Sequence, residues 1–347
     1  MTLICFILML GIIVFIHELG HFITAKKSGV YIYEFSIGFG PKLFSFKRKK
    51  DETEYCLRLI PIGGYVAMAG EEVDDDTSVS KEKKMYNKPW IKRLIIVIAG
   101  AFNNFVLGFV VLFFMALVYG SVNTKPVIGV VAPSSAASNA GIVVGDTLMR
   151  IDGKRVRTWD DVTLKFALAN KKKESTLTLL TKDNKEKIVK IKPVRQEDKN
   201  KEVSYSYGMG LDMTKNYGLF NSLKYATSKF GSLYNSMIVT IKSLFTGQLG
   251  LNALSGPVGI YSIVGQQRQA GLEGLMYLLA YLSINVGFIN LIPFPAFDGG
   301  RALFLFIEKI KGSRVNPKTE NMIHQFGMLI LLGLMLFITM KDVLKLF

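Results

Sequence analysis

The chain of 347 residues is half hydrophobic, with a mean hydropathy of +0.30 and a formal net charge of +16. Because a soluble globular protein of this length usually carries more charge and less apolar content, the composition favours a membrane protein. The basic excess suits contact with an anionic lipid bilayer. Since the sequence contains no helix-turn-helix, zinc-finger or RNP pattern, we expect no nucleic-acid partner.

The first predicted element is a transmembrane helix at residues 1–25. It lacks the positively charged start of a signal peptide and its apolar stretch is long, so we expect it to be retained. Within it, GIIVFIHELGHFITA at 11–25 sets two histidines and a glutamate into an apolar run. A charged side chain at the bilayer centre costs roughly 3 kcal/mol on insertion scales, so this cluster indicates a functional site.

The pattern His17-Glu18-x-x-His21 places two imidazoles on one helix face, because residues four apart are neighbours there. Two such histidines can bind one Zn²⁺, and the glutamate between them is the general base of zinc peptidases. We therefore predict His17 and His21 as zinc ligands and Glu18 as the catalytic base. The alternative, two buried histidines making ordinary hydrogen bonds, leaves a buried glutamate unexplained.

A cytoplasmic loop is predicted at 26–93, with two strand-like stretches, YEFSIGFGPKLFSFKRK and TEYCLRLIPIGGYVAMAG. Their β-branched and aromatic residues and glycine turns are typical of strands. Gly63 and Gly64 suit a bend at which the backbone approaches another group closely.

The second transmembrane helix is predicted at 94–118. Its Asn103 and Asn104 are interpreted as hydrogen-bond partners between helices, with a part for one of them in shaping the site as the alternative. Short Val/Ile/Leu-rich strands and turns at 126–195 predict a small α+β domain. Residues 216–247 have helical apolar spacing, but their lysines argue against a span. We expect an amphipathic helix, either on the outer membrane surface or packed against the protein.

The third transmembrane helix, at 275–295, runs into the motif NLIPFPAFDGG at 290–300. Its prolines cannot continue a helix, and the two glycines are expected to loosen the backbone after Asp298. Unwound backbone at membrane depth must face protein or water, and catalytic zinc needs a third protein ligand. Asp298 is therefore the predicted third ligand; the alternative is a solvated aspartate at a helix end.

The fourth transmembrane helix is predicted at 322–340, with His324 interpreted as an interfacial residue near its start. Lysines and arginines follow the first span, precede the second and separate the third from the fourth. The positive-inside rule makes these short segments cytoplasmic. Both termini and the domain at 126–195 are then extracytoplasmic in a multi-pass cell-membrane protein, with the active site towards the cytoplasm.

Two motifs together, HELGH at 17–21 and NLIPFPAFDGG at 290–300, resemble those of the site-2 protease family of intramembrane zinc metalloproteases. AGIVVGDTLMRIDGKRV at 140–156 is similar to a PDZ core, and LSGPVGI at 254–260 and GAFNNFVLG at 100–108 resemble further family segments. A single extracytoplasmic PDZ-like domain resembles the bacterial RseP/RasP branch. The implied fold is a polytopic α-helical membrane protein with about four transmembrane helices, a membrane-associated β region and one inserted α+β PDZ-like domain.

The resemblance also implies how substrates are held. Asn290 would hold the substrate backbone, with Pro293 and Pro295 beside it. The strands with Gly63 and Gly64 resemble a re-entrant β structure that pairs with an unwound substrate; a surface hairpin unrelated to substrate is the alternative.

The implied activity is zinc-dependent proteolysis of single-span membrane proteins, such as anti-sigma factors and remnant signal peptides, after extracytoplasmic trimming. The alternative function is a non-catalytic, PDZ-bearing membrane adaptor. The intact Glu18 argues against the adaptor, because a purely structural metal site has no use for a base.

Overall fold

A computed structural model describes residues 1–49, 51–71, 76–169, 174–197, 203–250 and 253–344. The chain forms two compact units, one from Met1–Val111 with Leu251–Phe347 and the other from Leu112–Gly250. Each unit has its own hydrophobic core.

The first unit is mainly helical. Its helices are α1 (Thr2–Lys27), α2 (Trp90–Tyr119, which continues into the second unit), α6 (Pro257–Gln269), α7 (Gly271–Asn290), α8 (Asp298–Lys311) and α9 (Pro317–Leu344). Among the described residues, four of these helices, α1, α2, α7 and α9, are long and apolar enough to cross a membrane. Helix α7 ends at Asn290, before the predicted limit of residue 295, because the prolines that follow cannot donate to its hydrogen-bond ladder.

Strands β1 (Ile32–Lys47) and β2 (Glu54–Met68) form an antiparallel sheet in the first unit. Residues 34–37 of β1 have partners both in 64–67 and in 54–57, so this part of β1 lies in the middle of the sheet. The sheet bends at Gly63, whose φ of +105° favours glycine.

The bounds of helix α8 correct one expectation about the motif NLIPFPAFDGG. Gly299 and Gly300 do not loosen the backbone after Asp298, because they lie in the first turn of α8. A Cβ on Gly299 would overlap the carbonyl of Ile292, and one on Gly300 would overlap the carbonyl of Phe294. The glycines are therefore needed so that α8 can pack directly onto the loop before it.

Helix α8 is also anchored to the beginning of α2. Trp90 Nε1 donates to the Leu305 carbonyl at 2.7 Å, and Arg93 pairs with Glu308 at 2.7 Å. These contacts fix α8, which begins with Asp298, against α2, which packs on α1.

The second unit is an α+β body, because its described strand pairs are antiparallel. Its strands are β3 (Ser121–Val122), β4 (Ile128–Val131), β5 (Thr147–Ile151), β6 (Lys154–Arg155), β7 (Ser175–Leu180), β8 (Glu186–Ile191), β9 (Val194–Glu197), β10 (Val203–Ser206), β11 (Met209–Leu211) and β12 (Lys215–Asn216). Its helices are α3 (Ala136–Asn139), α4 (Trp159–Leu168) and α5 (Leu219–Phe245). A four-stranded sheet in the order β6-β5-β7-β8 encloses the core, which includes Leu148 and Leu177.

The long helix α5 packs against the start of α4. Lys229 pairs with Asp160 at 2.7 Å, and Ser232 donates to the same carboxylate at 2.7 Å. The helix expected at 216–247 therefore makes the contacts of a helix packed against the protein, which was one of its two alternatives.

Candidate metal centre

Three predicted ligands meet in the first unit. Helix α1 carries His17 and His21 one turn apart, with their Nε2 atoms 3.3 Å from each other. Asp298, the first residue of α8, places Oδ2 3.3 Å from His17 Nε2 and 3.4 Å from His21 Nε2. The three ligand atoms therefore form a nearly equilateral triangle.

The triangle has the dimensions of one face of a tetrahedral zinc site. Zinc bonds to nitrogen and oxygen are about 2.0–2.1 Å long, which separates tetrahedral ligand atoms by about 3.3–3.4 Å. Asp298 Oδ2 is also buried without a hydrogen-bond partner among the described residues, although it lies near both imidazoles. An orphaned carboxylate oxygen between two imidazole nitrogens fits a bound cation.

The second nitrogen of His21 fixes the tautomer that a metal ligand needs. His21 Nδ1 lies 2.8 Å from the Ile96 carbonyl, which can only accept a hydrogen bond. The hydrogen of the neutral ring is therefore on Nδ1, and the lone pair of Nε2 points at the triangle. Such a backbone partner is a common orienting contact of metal-binding histidines.

Asn104 makes the corresponding contact with the second ring nitrogen of His17. It is fully buried on α2, and its side-chain amide lies 3.3 Å from His17 Nδ1. With Nδ2 in that position, Asn104 Oδ1 has no partner in the described part of the chain. A half-turn of the amide pairs Oδ1 with a His17 Nδ1–H group and frees His17 Nε2 for a metal.

The sequence interpretation of Asn103 and Asn104 as hydrogen-bond partners between helices is confirmed for both. Asn103 donates from α2 to the Ile16 carbonyl of α1 at 3.2 Å. Asn104 instead reaches the ring of a predicted ligand. The available signal was its spacing of four residues from Gly100, which puts both on one face of α2.

Glycines let α1 and α2 approach closely enough for these contacts. A Cβ on Gly100 would overlap His21 Nε2 and lie 2.7 Å from His17 Cε1. A Cβ on Gly20 would overlap the carbonyl of Ala99. The histidine pair thus occupies space that only a glycine at residue 100 leaves empty.

The loop before Asp298 is held from α9. Ala296 has a φ of +86°, a left-handed conformation that costs a non-glycine residue about 1–3 kcal/mol. Its N–H donates to His324 Nδ1 at 3.2 Å. Gly327, one turn further along α9, leaves room for Pro295, since a Cβ there would overlap Pro295 Cβ.

A cavity of about 480 Å³ opens beside the triangle. Its lining includes His17, Glu18, His21 and Asp298. Glu18 therefore faces the same space as the three candidate ligands. The lining also includes His324, whose interpretation as an interfacial residue stays a prediction.

None of the predicted substrate-contacting residues belongs to the described lining of the cavity. Asn290 ends α7, and Pro293 and Pro295 belong to the loop between α7 and α8. Gly64 approaches α1 so closely that a Cβ on it would lie 3.4 Å from Glu18 Cγ, and Gly63 forms the neighbouring bend.

A polar network fixes β2 beside the cavity. Tyr65, which lines the cavity, shares Glu34 with Arg58 at donor–acceptor distances of 2.7 Å each. Burial alone would raise the pKa of the Glu34 carboxyl, but the hydrogen bonds from Arg58 and Tyr65 lower that pKa to about 2. The negative charge of Glu34 therefore persists at neutral pH and holds Tyr65 in place.

Two histidines on a helix, a facing aspartate and a glutamate in one cavity form the arrangement of an H-E-x-x-H metallopeptidase. A family model described as peptidase family M50 matches residues 5–334. The chain belongs to peptidase family M50.

Relatives match over the full length. A Fusobacterium nucleatum protein, named as a candidate zinc metalloprotease, is 37% identical over 350 residues, covering 100% of both chains. The "Regulator of sigma-W protease RasP" of Bacillus subtilis and the "Zinc metalloprotease RasP" of Bacillus licheniformis are each 31% identical over 423 residues, covering 100% of this chain and 99% of theirs.

Proposed function

We propose that this protein is a zinc-dependent endopeptidase that cleaves single-span membrane proteins within the lipid bilayer. The observation that carries the proposal is the triangle of His17, His21 and Asp298, with Glu18 in the same cavity. The two histidines and the glutamate lie on α1, which is apolar enough to span a membrane. The Fusobacterium nucleatum and Bacillus licheniformis relatives, whose names include zinc metalloprotease, support zinc as the metal.

His17 and His21 would hold the zinc from α1, and Asp298 would hold it from α8. When bound there, zinc supplies Lewis acidity to peptide hydrolysis. Glu18 accepts a proton from the attacking water and delivers it to the leaving amine. Asn104 and the Ile96 carbonyl keep both imidazoles in the tautomer that binds metal.

The substrate must lose its helical structure before it is cut. A spanning helix hides its scissile carbonyls in its own hydrogen-bond ladder, and freed backbone groups need new partners in the membrane. The segment of β2 around Gly64 runs beside Glu18 and is suited to pair with an extended substrate by strand addition. Asn290, Pro293 and Pro295 would support the substrate on the α7 side.

The substrates would be anti-sigma factors and remnant signal peptides, trimmed beforehand outside the cell. The name of the Bacillus subtilis relative, a regulator of sigma-W protease, supports the first class. Residues 126–195, within the second unit, would form an α+β PDZ-like domain that binds or filters trimmed substrates. Both termini and this domain would be extracytoplasmic, with the metal centre towards the cytoplasm.

The test compares purified wild type with Glu18→Gln in detergent, with Glu186→Gln on the exposed face of β8 as the matched control. Each is incubated with a single-span substrate, cleavage is read by mass, and zinc is measured in parallel. We expect about one zinc in all three proteins and cleavage by wild type and Glu186→Gln only. Equal turnover by wild type and Glu18→Gln would show that Glu18 is not the catalytic base. Bound zinc without turnover by wild type, across trimmed substrates of both classes, would favour the adaptor.

The orientation has its own test. Cys5 and Cys56 are first replaced by serine. A single cysteine is then placed at one of two exposed residues, Lys185 in the second unit or Lys311 at the end of α8. A membrane-impermeant maleimide should label intact cells at residue 185 and not at residue 311. The reverse pattern would overturn the proposed topology.

A further inference from the structure

His324 is a second functional group of the cavity, and its geometry fixes its protonation pattern. The Ala296 N–H can only donate, so His324 Nδ1, 3.2 Å away, accepts. The hydrogen of the neutral imidazole is therefore on Nε2.

That Nε2–H group is buried and has no hydrogen-bond partner within the described ranges. An unsatisfied buried donor is costly, and one that a native structure keeps calls for an explanation, such as a catalytic role, strain or an ordered water. His324 lines the cavity that contains His17, Glu18 and Asp298, and its ring packs against Phe304 with centroids 5.5 Å apart. The donor is thus held in place at the wall of the candidate site.

Two other side chains of the cavity wall have donors engaged within the protein. The Tyr65 hydroxyl donates to Glu34, and Arg301 pairs through its guanidinium with Glu71. His324 Nε2–H, in contrast, is a buried donor of this wall with no partner in the described part of the chain.

We propose that His324 Nε2 donates a hydrogen bond to the substrate carbonyl oxygen as negative charge develops on it during hydrolysis. The inference rests on the proposed peptidase function and adds a catalytic residue to it. A donor aimed at such an oxygen stabilises the transition state more than the bound substrate, so its loss should lower kcat and leave KM nearly unchanged.

Two substitutions separate the two nitrogens of His324. His324→Asn keeps an acceptor near the position of Nδ1 for the Ala296 N–H but has no group at the position of Nε2. His324→Gln reaches the position of Nε2 with an amide N–H but loses the acceptor for Ala296. Both proteins are compared with wild type for zinc content, kcat and KM.

A binding measurement is independent of turnover. A substrate peptide whose scissile amide is replaced by a phosphinate presents tetrahedral oxygens like those of the transition state. The affinity for the unmodified peptide is measured in proteins that also carry Glu18→Gln. For His324→Asn we expect full zinc, kcat reduced about 100-fold and phosphinate affinity reduced in proportion, with unmodified peptide bound as before. His324→Gln should recover at least tenfold of the lost kcat.

The inference is overturned if His324→Asn retains both kcat and phosphinate affinity, or if it loses zinc, because the histidine then only supports the Ala296 loop. It is also overturned if phosphinate and unmodified peptide weaken equally. Absence of zinc or of cleavage in wild type would instead refute the proposed function itself.

Discussion

The two sides of the metal centre are built by different means. His17 and His21 lie one turn apart on the uninterrupted helix α1, whereas Asp298 follows a loop with two prolines and a left-handed alanine. The helical side needs only periodicity and a close crossing with α2. The loop side depends on distant support, since α9 holds it through His324 and Gly327. The difference predicts that substitutions beside the helix abolish metal binding, while those beside the loop weaken it.

The largest effect should come from Gly100→Ala. Its methyl group would overlap His21 Nε2, and neither helix can move away without losing the crossing. We expect zinc affinity to fall by more than about 100-fold, because both imidazoles are displaced. Zinc content and thermal unfolding of the purified protein measure this. Gly333→Ala is the control, since a Cβ there meets nothing within 4 Å; normal zinc in Gly100→Ala would contradict the account of the helical side.

Asn104→Leu should have the next largest effect. It removes the acceptor for His17 Nδ1–H from the buried side of α2, and loss of such an orienting contact weakens metal binding about 10–100-fold. Asn104→Asp keeps an acceptor oxygen and should bind zinc more tightly than Asn104→Leu in a competition titration with a chelator. If the aspartate variant is the weaker of the two, Asn104 donates to His17 rather than accepting from it.

Gly327→Ala tests the loop side. The added methyl group would press on Pro295, and overpacking of this kind costs about 1–3 kcal/mol. Because the loop can shift as a unit, we expect zinc affinity to fall by roughly tenfold or less. Gly333→Ala, on the same helix, is the matched control for the same chelator titration. A loss as large as that of Gly100→Ala would erase the contrast between the two sides.

Asp342→Asn should have the smallest effect on the metal. Asp342 Oδ2 accepts from the N–H groups of Gly256 at 2.7 Å and Gly259 at 3.1 Å and so caps α6 from the end of α9. Losing the charge at a helix cap should lower the free energy of unfolding by about 1 kcal/mol. Thermal unfolding is compared with that of Asp183→Asn, an exposed residue of the second unit. A change in zinc affinity would mean that the support of the loop extends along the whole of α9.

The sequence predicted what depends on local pattern. Hydropathy indicated the four long apolar helices. The largest differences from the predicted bounds are at α7, which stops at Asn290 rather than at residue 295, and at α9, which spans Pro317–Leu344 rather than 322–340. The spacing of His17 and His21 predicted a shared helix face, and the structure places their Nε2 atoms together. Their roles, and those of Glu18 and Asp298, stay predictions until metal and turnover are measured.

What the sequence did not reveal depends on contacts between distant segments. Nothing near His324 indicates that it meets Ala296, 28 residues earlier in the chain. Asn104 was expected to bond to another helix, but the sequence did not reveal that its partner is His17, 87 residues earlier. The helical start of α8 was missed because two glycines usually argue against a helix, whereas here they permit close packing on the loop.

The cavity also bears on inhibitor design. Its volume of about 480 Å³ is within the range that encloses drug-sized molecules. A chelating headgroup alone would bind many H-E-x-x-H enzymes, so selectivity has to come from the walls. Tyr65, locked by Glu34 and Arg58, and the free N–H of His324 offer two fixed polar contacts for a scaffold that extends from the chelator.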